Sequence, residues 1–142
     1  MEKEFVPNKP LEKVRNSVVH ILILGIIFYP VTFFIKDIFL LKILFLLLVF
    51  IAQIVFVFLN NGRTLSHVIF KTYHKEKYKN WQWLVWSIFY TVSVASILFW
   101  VYFPFDLLIL NLIIQYITYL IAGTTLHQLL AGKMITGTYK SI

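Results

Sequence analysis

Four long apolar runs separated by short polar breaks set the pattern of this chain: residues 18–35, 38–59, 81–103 and 105–122. A helix rises about 1.5 Å per residue, so about 20 apolar residues match a hydrocarbon core about 30 Å thick. The charges inside the runs are Lys42, one turn into the second, and Asp106, at the edge of the fourth. A small soluble domain keeps much of its surface in water and cannot hide this much apolar area. The pattern therefore predicts an all-α polytopic membrane protein, one domain over residues 1–142, with four transmembrane helices in two hairpins. Lys36-Asp37 would close the first hairpin and the region of Pro104 and Asp106 the second; connections this short make antiparallel neighbours. Residues 1–15 mix three acids with four bases, and no small-residue cleavage site follows, so the first run reads as a retained helix. Pro7 and Pro10 keep the first ten residues out of regular helix, while Pro10 suits the first turn of a helix entering the membrane.

The polar breaks after each hairpin resemble one another. Gly62-Arg63-Thr64-Leu65-Ser66-His67-Val68-Ile69 and Gly123-Thr124-Thr125-Leu126-His127-Gln128-Leu129-Leu130 both read G-x-T-L, then two polar positions, then two apolar ones. Each glycine can end a span and each threonine can cap a following helix. This predicts two short cytoplasmic interfacial helices, over 63–71 and 125–131, and a parallel repeat about an axis along the membrane normal.

Composition and charge add orientation. Hydrophobic residues make up 60% of the 142 and charged residues 13%, leaving too little chain outside the spans for a second soluble domain. Of the 13 Lys and Arg, eleven lie in the N-terminal tail, the 60–80 connection and the C-terminal tail; Lys36 and Lys42 alone fall on the other side. The positive-inside rule then places both termini and the middle connection in the cytoplasm. The net charge of +7 reads as topology and attraction to anionic lipid at that face, not as a nucleic-acid surface. The basic run 71–79, with Tyr73 and Tyr78 interleaved, reads as a lipid-facing loop. Trp81, Trp83 and Trp86 at one end of the third run, and Trp100, Tyr102 and Phe103 at the other, read as interfacial belts.

Few polar side chains interrupt the runs: His20, Gln53, Asn111, Gln115 and Thr118 among them. Asn111, Gln115 and Thr118 form one stripe, and Gln53 and Gln115 stand at matching distances from Gly62 and Gly123. Buried amides commonly join membrane helices, so the first expectation is a hydrogen bond between the two halves; the alternative is the lining of a ligand pocket. Ser87, Thr91 and Ala95 give the third run a small face for close packing, while the second, rich in Phe, reads as more exposed to lipid or a partner. His20, His67, His74 and His127 all fall toward the cytoplasmic side. Their spacing forms no compact metal site, and with no cysteine in the chain they read as interfacial or capping residues, with no metal or cofactor expected.

The segment from Gly62 to Phe70 resembles the G-[QR]-T-L-G-[KR]-[KR]-[IL]-[FL] element of the RDD family of small bacterial membrane proteins, through Gly62, Arg63, Thr64 and Leu65. Leu126-His127-Gln128-Leu129-Leu130-Ala131-Gly132 is similar to that family's C-terminal L-H-D-L-L-A-G element. The resemblance implies a helix bundle in the bacterial plasma membrane, and cation–proton antiport has been proposed for some members. The family is named for an arginine and two aspartates. Arg15 stands for the arginine, no acid lies between it and Asp37, and Gln128 replaces the aspartate of the C-terminal element. Ion-coupled transport normally uses a switchable intramembrane carboxylate, which these spans lack.

No phosphate loop, paired carboxylate or nucleophile–base set is present, so an enzyme is not expected. Three functions remain: a membrane-embedded accessory or binding subunit engaging a partner protein through helix faces and cytoplasmic segments, a small transporter or channel of the RDD type, and a membrane immunity or stress protein. A membrane protein partner or a second copy of the chain is the partner expected.

Overall fold

The computed structural model describes residues 3–99 and 106–141. The elements run β1 (Lys3–Pro7), α1 (Pro10–Phe28), a 3-10 turn (Tyr29–Phe33), α2 (Ile38–Asn60), α3 (Leu65–Ile69), β2 (Tyr73–His74), α4 (Asn80–Leu98), α5 (Asp106–Ala122), α6 (Leu126–Leu130) and β3 (Thr136–Ser141). Three helices are long and apolar enough to cross a membrane: Pro10–Phe33 with 24 residues, Ile38–Asn60 with 23 and Asn80–Leu98 with 19. α5 is apolar and shorter, and the turn expected before it, with Trp100, Tyr102, Phe103 and Pro104, lies outside the described residues.

Local chemistry explains the helix ends. Pro10 occupies the first turn of α1, where a missing N–H costs nothing, and the Lys9 N–H donates to the Glu12 carboxylate at 2.8 Å. α4 opens the same way, with the Lys79 N–H donating to Gln82 Oε1 at 2.8 Å. Pro30 ends the α-helical ladder of α1 and turns the chain into the 3-10 segment. Asp37 caps α2 by accepting the Leu40 N–H at 3.0 Å. Asn61 and Gly62, with φ of 50° and 77°, stop it.

The expectation of an all-α chain needs one correction. β3 pairs antiparallel with β1, Lys3 opposite Ser141 through Pro7 opposite Gly137, and with β2, Tyr73 opposite Gly137 and His74 opposite Thr136. The sheet order is β1-β3-β2, so the two tails and the middle connection meet in one layer. The segments around α3 and α6, read from sequence as helices, are helical for five residues each, opened by Thr64 and Thr125.

Helix α4 lies at the centre, packed on α2, α5 and α6, while α1 packs on α2 and α3. Its buried side is Trp83, Trp86, Ser87, Tyr90 and Val94, facing Leu24 of α1 and Phe45 and Val49 of α2. This corrects the reading of the tryptophans. Trp83 and Trp86 are each only 5% exposed and belong to the core; Trp81 alone of the three is exposed. Trp86 stacks on Tyr90 with ring centroids 5.4 Å apart, and Trp83 meets Trp86 edge-on at 5.8 Å. The basic loop is likewise partly a strand. Tyr73 sits under the Arg63 guanidinium at 4.1 Å, and the Tyr78 hydroxyl accepts the Ile135 N–H at 2.8 Å, while Lys71, Lys75, Lys77 and Lys79 stay exposed.

Gly62 joins the long apolar helices to this layer. Its φ is positive, and a Cβ there would run into the indole of Trp83. Gly62→Ala should destabilise the protein by about 1–3 kcal/mol, seen as a lower thermal midpoint in detergent. Gly25→Ala, with nothing within 4 Å of the added Cβ, is the matched control and should leave the midpoint unchanged or slightly raised.

Candidate functional site

A cavity of about 370 Å³ lies between α1 and α5, floored by α4 and closed at one end by α3 and α6. That volume is within the range of about 300–1,000 Å³ usual for small-molecule sites. The polar residues that interrupt the apolar runs gather on it, apart from Thr118. α1 contributes Asn16, Ser17 and His20, α2 Gln53, α4 Tyr90 and Ser93, and α5 Asn111 and Gln115. Lys13, His127 and Gln128 stand at the end nearest the sheet layer, with Thr64, Ser66 and His67 from the first half. Among the described residues that line it there is no Asp or Glu.

The amides bond within their own half. His20 Nε2 and Gln53 Nε2 are 3.0 Å apart, joining α1 to α2. The Asn111 amide donates to Ser93 Oγ at 2.9 Å and Ser96 Oγ at 3.0 Å, joining α5 to α4. Gln115 Oε1 accepts the Leu126 N–H at 2.8 Å, and so holds the start of α6. Thr118 donates to the Ile114 carbonyl of its own helix and makes no other hydrogen bond among the described residues. The bond expected between the halves through Gln53 and Gln115 is absent among the described residues; the link across the membrane helices is Ser17 to Tyr90, 2.8 Å between hydroxyls.

Several buried polar atoms lack a hydrogen-bonding partner, among them Nδ1 of His74 and of His127, Ser87 Oγ and both amide atoms of Asn8. Gln53 is 1% exposed and His20 3%, yet Gln53 Oε1 and His20 Nδ1 have no hydrogen-bonding partner. With the Gln53 amide nitrogen donating to His20 Nε2, the imidazole carries its proton on Nδ1. Both residues line the cavity, while the free donor and free acceptor of the pair are themselves buried behind its wall.

The motif positions build the mouth. Gln128, where the RDD element has aspartate, is buried, and its Oε1 accepts Lys13 Nζ at 3.0 Å, Thr124 Oγ1 at 2.7 Å and Thr125 Oγ1 at 3.0 Å. Leu126 opens α6 and Leu129 and Leu130 are exposed, whereas Ala131 is fully buried and Gly132, at φ 89°, turns the chain toward β3. In the first half Thr64 caps α3 through the His67 N–H at 3.4 Å and donates its own N–H to His67 Nδ1 at 3.3 Å. Arg63 donates to the Thr72 carbonyl at 3.0 Å, and Arg15 stacks on Phe70 at 3.9 Å. Leu65 is exposed beside them. Lys13, Ser17 and Tyr90 went unnoticed in the sequence. The signal was there for Lys13, Ser17 and His20, which stand at i, i+4 and i+7 on one face of α1.

No family model, no curated protein and no solved structure matches this chain. The resemblance to the RDD family rests on the two short elements alone.

The three histidines of the layer beside the sheet are held neutral. Burial, then the nearby charges of His74, His20 and Arg63, lowers His67 to about 3. Burial outweighs the Gly62 carbonyl hydrogen bond and lowers His74 to about 4. Burial and the Lys13 charge lower His127 to about 3. Among the described residues no three His, Cys, Asp or Glu gather as a metal site. A depressed histidine takes up its proton in the unfolded chain near 6.5 and in the folded chain only near 3–4. Stability should therefore be flat above neutral pH and fall steadily from about pH 6.5 toward 4. Thermal midpoints measured across that range should show this fall, and it should be shallower in a His74→Gln, His127→Gln double variant.

Proposed function

We propose that this chain is a four-span protein of the bacterial plasma membrane that works by binding an amphipathic small molecule in the cavity between α1 and α5. On this reading it is a divergent RDD-type scaffold serving as a binding or accessory subunit. The observation that carries the reading is the cavity itself: a mostly apolar hollow between α1 and α5 with a few polar side chains, Lys13 at its mouth among them, the pattern of a site for an amphipathic ligand.

Topology supports it. β1, β2 and β3 share one sheet, so an even number of crossings must separate each strand from the next. α1 and α2 supply the first two; if α4 crosses, α5 with the residues before it must cross back. The lysine and arginine distribution puts the sheet layer in the cytoplasm. Because the chain has no cysteine, single substitutions at Lys9, Asp37, Lys75, Asp106 and Ser141 to cysteine report without background. Only those at 37 and 106 should react with an impermeant reagent from outside; outside labelling at 75 would overturn the four-span arrangement.

Ion-coupled antiport fits poorly. Among the described residues no carboxylate lines the cavity, and the motif position holds a glutamine bonded to a lysine. Purified protein in sealed vesicles should give no sodium- or potassium-driven proton flux above empty vesicles. Robust flux that disappears in His20→Ala or Gln115→Ala would sink the binding reading and restore a transporter.

A further inference from the structure

We propose, resting on the binding reading above, that the cavity takes a single-chain anionic amphiphile of the monoacylglycerol-phosphate type: phosphate on Lys13, and acyl chain passing into the bilayer between α1 and α5. Two observations carry it. The first is a break in the internal repeat. α1 packs on α2 and α3 as α4 packs on α5 and α6, so the halves match. The broad contact of α2 with α4 has its counterpart in α5 with α1, and those two helices make at most marginal contact. The cavity fills that place. Val14 and Val18 of α1 and Leu112 and Tyr116 of α5 line it and are each at least half exposed, so it opens sideways along apolar helix faces into lipid.

The second observation is the charge at the mouth. Lys13 Nζ contacts only neutral groups, Gln128 Oε1 at 3.0 Å, Thr124 Oγ1 at 3.4 Å and the Tyr119 ring at 5.4 Å, and no ion pair neutralises it among the described residues. A half-buried ammonium in that setting attracts an anion far more strongly than a solvated one. The lining along the rim, Val14, Val18 and Leu112, is apolar, which suits the hydrocarbon behind a head anchored at the mouth. The cavity is too small for a whole two-chain lipid, and the sideways opening leaves the rest of the chain in the membrane.

The test uses the full chain in phosphatidylcholine nanodiscs and measures binding of oleoyl lysophosphatidate by native mass spectrometry and by a chain spin label. Saturable binding of one molecule per chain is expected, weaker for oleate and for monooleoylglycerol, and undetectable for glycerol phosphate. Lys13→Met should weaken it about tenfold, the loss of one charge-assisted hydrogen bond. Lys13→Arg should retain it and Lys9→Gln leave it unchanged. Val18→Trp, on the exposed rim, should weaken it without moving the thermal midpoint, which keeps the test independent of folding at Lys13. Equal binding of monooleoylglycerol, or indifference to Lys13→Met, would overturn the anionic head while leaving a ligand-binding cavity. Competition by glycerol phosphate would overturn the chain. Failure of every amphiphile to bind would overturn the cavity reading as well.

Discussion

The pairing of β3 with β1 on one edge and β2 on the other is the constraint from which the rest follows. These strands are the ends of the chain and its midpoint, so one small sheet ties together the places where α1, α4 and α6 begin or end. Its hydrogen bonds run perpendicular to the strands and fix register residue by residue. The helices that leave it cannot slide independently. Asn16 reaches Thr72 at 3.1 Å and Gln82 reaches the Ala131 carbonyl at 3.0 Å, so each half pins its first helix to its own connection in the same layer. Met134 and Ala131, both with no exposed surface, continue the core of Trp83 and Trp86 into the layer and make it one body with the membrane helices.

The repeat shows how a weak sequence signal becomes a strong structural one. Gly62 and Gly123 both adopt positive φ, and Thr64 and Thr125 both open a five-residue helix. The strands that follow, β2 and β3, pair antiparallel with each other, as a two-fold axis through the pair requires. The halves then diverge in chemistry. Thr64 spends its hydroxyl on the His67 N–H and on Ser66, whereas Thr125 donates to Gln128, whose amide has become the meeting point for Lys13 and two threonines. An aspartate at that position would form an ion pair with Lys13; the glutamine leaves the lysine bonded but not neutralised.

How much of this was legible depends on the range over which each signal acts. The apolar runs were plain because a bilayer imposes a length and a composition on contiguous residues, and the capped helices were plain because a cap is written within four positions. The sheet was not. Five residues of Lys3–Pro7, ending in proline, carry too little alternation to read as a strand, and their partner is at the opposite end of the chain. Trp83 and Trp86 misled for a different reason: the aromatic that suits an interface also suits a core, and only the position of α4 between its neighbours decides. The amides were found, but not their partners. Gln53 and Gln115 stand at matching depths, and matching depth says nothing about which helix each one faces; both face the first helix or connection of their own half.

The asymmetry between the two helix interfaces links architecture to chemistry. In a strict repeat, α5 would close on α1 as α2 closes on α4. The closed side carries the apolar contacts of Phe45 and Val49, while the open side carries hydroxyls, amides and imidazoles, most of them bonded to one another. Polar groups facing hydrocarbon are destabilising, and this mutual pairing is what lets them stand beside an open interface. The rim itself, Val14, Val18 and Leu112, is exposed and apolar like the outer faces of the other long helices, as a surface against hydrocarbon requires.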